Sequence, residues 1–199
     1  RLAGAVELIG QGRLDVRVSE NSGGELHTLE CGVNSMAVSL QMAQERMQER
    51  IDEATERLSY QASHDALTGL VNRREFERRL ERALAAARDN RQVYALCYLD
   101  LDQFKIVNDT CCHVAGDELL RQLTVLLQGK VRDTDTLARL GGDEFGVLLD
   151  NCPLQQAEIV ADLLRQTVKD FHFVWKEKAF VIGVSIGLVP INQDTGSLD

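Results

Sequence analysis

Apolar and polar positions change rhythm near residue 62. Before it, Leu26, Leu29, Val33, Met36, Leu40, Ala43 and Met47 recur in alternating steps of three and four. That alternation is the heptad seam of a coiled coil, which keeps one narrow apolar stripe turned toward a partner helix. Ile51, Ala54 and Leu58 continue it after a second consecutive step of four, a stutter that locally unwinds the supercoil. An amphipathic helix packed on its own domain would carry a similar stripe. A run of roughly 35 residues without Gly or Pro after Gly32 favours the coiled coil. Upstream, Leu2, Val6 and Ile9 form a shorter helical stripe that ends at Gly10 and Gly12. Leu14, Val16 and Val18 then alternate through a connector to Asn21-Ser22-Gly23-Gly24. Residues 1–61 thus read as helix, extended connector, helix, the layout of a parallel dimer.

After residue 62 the chain alternates helix and strand. Asn72 is a good N-cap for a helix that puts Phe76, Leu80, Leu84 and Ala87 on one face. Residues 93–101 read as a buried strand and 116–128 as a second helix. Residues 136–140 and 145–149 are short strands around a Gly-Gly turn, a hairpin signal. Pro153 suits the first turn of a third helix carrying Ile159, Val160, Leu163, Leu164 and Val168. Residues 180–189 form a final β-rich run. The fold class expected for 62–199 is α/β, a central mixed sheet flanked by helices.

Composition adds limits. At 199 residues and 22.2 kDa the chain is one large domain or two small ones, and 44% hydrophobic with 27% charged residues excludes wholesale disorder. A net charge of −9 argues against binding a nucleic-acid polymer but leaves room for one small anion in a local basic or metal-lined pocket. The longest apolar stretch, residues 179–191, is too short and too interrupted to span a bilayer. Five cysteines (Cys31, Cys97, Cys111, Cys112, Cys152) without C-x-x-C spacing point to a reduced compartment. Because the chain opens at Arg1 without Met, it reads as a fragment of a longer parent.

Two clusters carry candidate chemistry. Asp100 ends an apolar strand in Leu99-Asp100-Leu101-Asp102-Gln103-Phe104-Lys105, where a carboxylate is expensive without a role or a partner. Gly141-Gly142-Asp143-Glu144-Phe145 sits at the hairpin tip, where glycines permit a tight turn and close approach of a ligand. Either cluster alone is weak, since Gly-Gly-Asp is also a common turn. A strand-end Asp beside a hairpin Asp/Glu pair could hold two magnesium ions for phosphoryl transfer, and a nearby lysine favours a nucleotide site.

These residues resemble the GGDEF-domain diguanylate cyclases. Asp65-Ala66-Leu67-Thr68-Gly69-Leu70-Val71-Asn72-Arg73 looks like the family's opening signature, Asp100 to Asp109 its strand-end motif, His113 to Asp117 the following loop, and Arg139 to Phe145 the name-giving hairpin. The resemblance covers 62–199 with the motifs in order, and implies a nucleotidyl-cyclase/polymerase-palm-like sheet. It implies that Asp100, the Leu101 carbonyl, Asp143 and Glu144 hold Mg2+ (or Mn2+), with Asp143 or Glu144 as general base toward a ribose 3′-hydroxyl. Lys105 would neutralise phosphate charge. Asn108 and Asp117 would read guanine, with His113 close to the nucleotide. Two GTP would condense into cyclic di-GMP across a homodimer, because a symmetric product requires two facing half-sites. Arg132 and Asp135, an R-x-x-D before the hairpin, resemble the family's inhibitory product site.

Residues 1–61 resemble a HAMP signal-relay module, including Asn34-Ser35-Met36, although Gly24-Glu25-Leu26 replaces the usual acidic start. That resemblance implies a parent at the cytoplasmic side of a bacterial inner membrane. Two departures stand out. Cys112 occupies the position before His113 where the family usually has Gly, which strains the loop if φ is positive there. The family pattern also continues past residue 199 with a helix and strand carrying basic residues, so the domain reads as C-terminally clipped. The alternative function is a regulatory module that binds GTP or cyclic di-GMP and controls an attached EAL phosphodiesterase domain. His27, His64 and His172 are expected in surface or packing roles, Phe171, Phe173, Trp175 and Phe180 in a local core. Arg73, Arg74, Arg78 and Arg79 are expected on a solvated helix face.

Overall fold

A computed structural model describes residues 2–195; Arg1 and residues 196–199, where the expected modules begin and end, lie outside the described residues. The chain divides into two compact units between Ser59 and Tyr60.

The first unit contains α1 (Leu2–Gly10) and most of α2 (Glu25–Ser63), a helix of 39 residues. The connector between them forms no strand; it is held by side chains of α2. The Asn34 amide accepts from Val18 N–H at 2.8 Å and donates to Val18 C=O at 2.8 Å, imitating one rung of a sheet. Glu30, buried at 7% exposure, accepts from the Ser22 hydroxyl at 2.7 Å. Leu26, Leu29, Met36, Leu40, Met47, Ile51 and Leu58 of the seam are exposed on the single chain.

The second unit is built on a five-stranded mixed sheet in the order β1-β3-β4-β2-β7. Its strands are β1 (Val71–Asn72), β2 (Tyr94–Asp102), β3 (Thr136–Gly141), β4 (Glu144–Leu149) and β7 (Gly183–Ile191). β1 and β3 are parallel; the other pairs are antiparallel. The helices are α3 (Arg73–Asn90), α4 (Phe104–Cys111), α5 (His113–Gln128) and α6 (Leu154–Asp170). A two-stranded ribbon, β5 (His172–Trp175) with β6 (Lys178–Val181), completes it. This is the flanked mixed sheet expected from the sequence.

Period-two alternation in β2 separates two cores. Ala95, Cys97, Leu99 and Leu101 face one side, buried with Leu119, Leu123, Leu127 and Phe145. On the other side α3 lays Phe76, Leu80, Leu84 and Ala87 against Ala138, Leu148 and Ile191, as its sequence stripe foretells. Asn72 caps α3 as expected, accepting from Glu75 N–H at 3.0 Å. Phe173 is fully buried among Phe171, Trp175 and Phe180, so the aromatic group is local core.

Three boundaries differ from the sequence reading. Pro153 is the N-cap of α6 rather than a first-turn residue. α5 begins at His113, three residues before the expected start, and α4 was not foreseen. Eight residues with Phe104 and Val107 as the buried pair are too few to establish a helical period. Among the described residues no helix is long and apolar enough to cross a membrane.

Candidate active site

The site lies where α3 stops covering the sheet. Gly146 leaves room for the Phe76 ring; a Cβ there would stand 2.7 Å from Phe76 Cζ. Tyr98 pairs with Gly146 across β2 and β4, and one step further Asp100 pairs with Glu144. Tyr98, Asp100 and Glu144 therefore continue the face that α3 covers, beyond its first turn.

The hairpin tip is tied to the strand end by backbone. Leu101 N–H donates to the Asp143 carbonyl at 3.2 Å, which places Asp143 beside Asp100. The turn is built on Gly142, whose φ of 50° is left-handed. Desolvation, then the neighbouring carboxylates of Asp143, Glu144 and Asp102, hold the Asp100 carboxyl above its ordinary range. An excess of negative charge on hard oxygen donors suits a divalent cation. Among the described residues, however, no three His, Cys, Asp or Glu side chains are gathered closely enough to hold a metal. Glu144 is instead paired with Arg73 at 2.8 Å.

The hairpin is gripped from the segment that leads into α3. Arg139 binds Asp65 at 3.1 Å and donates to the Gly142 carbonyl from Nη2 at 2.9 Å. Burial raises the Asp65 carboxyl, but hydrogen bonds from the Thr68 hydroxyl and amide, and then Arg139, outweigh it and hold the group below its ordinary value. Arg73 donates from Nε to the Leu140 carbonyl at 2.8 Å. Arg78 and Arg79 both bind the nearly buried Glu75. The arginine run is thus not a merely solvated face: three of its members hold carboxylates, which the spacing of charges alone does not reveal.

The proposed nucleotide contacts lie on α4 and α5. Lys105 is exposed in the first turn of α4 and Asn108 is half-buried one turn later. His113 is exposed at the start of α5 and Asp117 is half-buried near it. Among the described residues no hydrogen bond or ion pair occupies the side chains of Lys105, Asn108, His113 or Asp117. Gly116 lets α5 approach Asn108: a Cβ there would stand 2.1 Å from Asn108 Oδ1.

Cys112 joins these two helices at φ 85°, ψ 164°, a conformation almost confined to glycine. The condition under which the sequence reading expects strain at Cys112, a positive φ, is therefore met. Cys111 and Cys112 are both free thiols. Cys112→Gly is expected to release strain of about 2–3 kcal/mol, less about 1 kcal/mol for the extra flexibility of an unfolded glycine, for a net gain of about 1–2 kcal/mol. Thermal denaturation should show a midpoint about 2–6 °C higher, and Cys112→Ala no such rise. An unchanged midpoint for the Gly variant would remove the strain from the account.

Arg132 and Asp135 close a turn before β3. Asp135 accepts from Arg132 N–H at 2.9 Å and Asp150 N–H at 3.1 Å, so its carboxylate already shapes the loop. Both residues line a cavity of about 350 Å³ together with Arg79, His64 and Asp133. This cavity is separate from the carboxylate cluster.

Known proteins resemble this chain in sequence and fold. Residues 62–199 match the family described as diguanylate cyclase, GGDEF domain. The chain is 46% identical over 137 residues to the probable diguanylate cyclase DgcE of Escherichia coli, covering 69% of the chain and 12% of the relative. It is 42% identical over 149 residues to the diguanylate cyclase TpbB of Pseudomonas aeruginosa, covering 75% of the chain and 32% of the relative. The chain thus spans a third or less of these relatives. The crystal structure of the coiled coil and GGDEF domain of Caulobacter crescentus DgcB in complex with c-di-GMP superposes with a TM-score of 0.73 at 26% identity, covering 80% of this chain and 85% of that one. By that match over 62–199 and these likenesses, the chain belongs to the GGDEF-domain diguanylate cyclase family.

Proposed function

We propose that the protein containing this chain is a diguanylate cyclase that condenses two GTP into cyclic di-GMP and two pyrophosphates. The observation that carries this reading is the pairing of Asp100 with Glu144 across β2 and β4, with Asp143 close enough to act on the same carboxyl. In each half-reaction a ribose 3′-oxygen forms a bond to the α-phosphorus of the other GTP, the bond to pyrophosphate breaks, and the 3′-proton passes to Asp143 or Glu144. Lys105 meets charge on the phosphates, and Asn108 with Asp117 pairs with the guanine edge, where adenine lacks the paired donors that a carboxylate accepts. His113 borders the nucleotide. Asp100, Leu101 C=O, Asp143 and Glu144 supply hard oxygen donors of the kind that suits Mg2+ or Mn2+; they would hold the ion once Glu144 is drawn from Arg73, and it would neutralise triphosphate charge. Positioning and charge neutralisation are what phosphoryl transfer mainly needs.

The exposed seam of α2 supplies the pairing surface, so that two copies present their half-sites to each other. Arg132 and Asp135, with Arg79 on the same cavity, form the product-binding inhibitory site. The helix-connector-helix of residues 1–61 acts as a HAMP-like relay, and the parent operates at the cytoplasmic face of a bacterial inner membrane. Incubating the parent protein with GTP and Mg2+ should yield cyclic di-GMP and pyrophosphate, and Asp143→Ala should yield none. Equal output from both would refute the assignment. The strained Cys112 favours a second reading, a regulatory module that retains GTP without turnover. GTP bound but unconsumed in the same incubation would select it.

A further inference from the structure

Asp143 and Glu144 at the hairpin tip, and Asp102 further along β2, all act on the Asp100 carboxyl, and the Arg73 guanidinium reaches Glu144 from outside the hairpin. Its geometry is that of a fixed group rather than a drifting surface charge. Nε is committed to the Leu140 carbonyl at 2.8 Å, which aims Nη2 at Glu144 Oε2, also at 2.8 Å. The pair is partly exposed, and an exposed pair of flexible side chains would contribute little. Here the backbone bond has already ordered the arginine, so its charge is delivered to one carboxylate. Asp100 and Glu144 are direct partners across β2 and β4, yet the acids are not gathered as a ligand set among the described residues.

We propose that Arg73 is a positioning residue that serves as the internal counter-ion of this cluster, holding Glu144 toward α3 until a divalent cation takes that carboxylate over. The inference rests on the reading of Glu144 as a metal ligand. A guanidinium and a metal ion compete for the same oxygen and repel each other, so filling the site requires Arg73 to yield. Arg73 thereby weakens cation binding in the unliganded domain and keeps an acidic cluster folded without metal.

Binding of Mn2+ alone, followed by loss of the free-ion paramagnetic resonance signal, tests this without reference to turnover. Arg73→Gln should bind Mn2+ about five- to tenfold more tightly than the unsubstituted chain, because Glu144 no longer has a competing partner. Arg73→Lys, which keeps the charge, should stay within about threefold. In a Glu144→Gln background the gain from Arg73→Gln should vanish, since the coupling runs through that carboxylate. Unchanged or weaker Mn2+ binding by Arg73→Gln overturns the proposal, as does a gain that survives in the Glu144→Gln background. If the parent makes no cyclic dinucleotide while these shifts hold, the cyclase reading fails and the counter-ion role stands.

Discussion

Arg139→Leu is expected to lower the stability of the GGDEF domain by about 2–3 kcal/mol and the GTP turnover proposed for the parent protein about 100-fold. Both numbers follow from what Arg139 joins. Its guanidinium is mostly buried, with side-chain exposure of 13%, against an Asp65 side chain at 23%. Removing one member of such a pair leaves the other desolvated. The full cost of a deeply buried pair is about 3–5 kcal/mol, and partial exposure reduces it here. The same guanidinium holds Gly142, so its loss also frees the turn that carries Asp143 and Glu144. A displacement of about 1 Å there is enough to cost two orders of magnitude in rate. Urea unfolding and steady-state turnover measure the two effects separately.

The acid limb of stability should identify the partner. Asp65 titrates below its ordinary value of 3.8 in the folded chain, so its contribution is complete above that pH and is lost as pH falls through the lower folded value. The stability gap between the unsubstituted chain and Arg139→Leu should therefore be constant near neutrality and narrow below about pH 4. A gap independent of pH down to that range would mean that Arg139 acts through packing rather than through Asp65.

Elements with a long apolar period were legible in the sequence. The face of α3, the strand β2, the β3–β4 hairpin and the Asn72 cap all follow from local pattern, because one face of each is buried and nothing in the local preferences opposes it. α4 escaped for the opposite reason: it is short and bounded by Gln103 and Cys112, both non-glycine residues at positive φ, so no cap signal marks either end. Asp100 stood out as a candidate ligand because a carboxylate ending an apolar strand is expensive without a role or a partner, and the Asp143–Glu144 pair only in combination with it. The residues that aim them were not legible, since Arg73 and Arg139 act over 71 and 74 positions of sequence. An arginine run carries the same letters whether it faces water or closes a hairpin. A bound family signature names such positions, but their partners emerge only when α3 and the hairpin are brought together.

Gly116→Ala should separate folding from recognition more sharply than any change to a charged group. Within a helix the added methyl is intrinsically favourable by about 1 kcal/mol. Here it would sit 2.1 Å from Asn108 Oδ1 and 3.1 Å from Phe104 Cζ, so something must move. Asn108 is the end of a half-buried side chain without a hydrogen-bond partner among the described residues, and rotates away at small cost; Phe104 yields by a few tenths of an ångström. The two contributions nearly cancel, and stability to urea should change by less than about 1 kcal/mol. Recognition has no such compensation. If Asn108 reads guanine as proposed, its displaced amide no longer meets the base edge, and losing those hydrogen bonds while the edge stays desolvated corresponds to about a 10–100-fold rise in KM for GTP. Discrimination against ATP should fall with it, because Asp117 alone must then distinguish the bases. A folded Gly116→Ala protein with unaltered KM for GTP would show that Asn108 does not read guanine, and would move recognition to Asp117 and the groups around it.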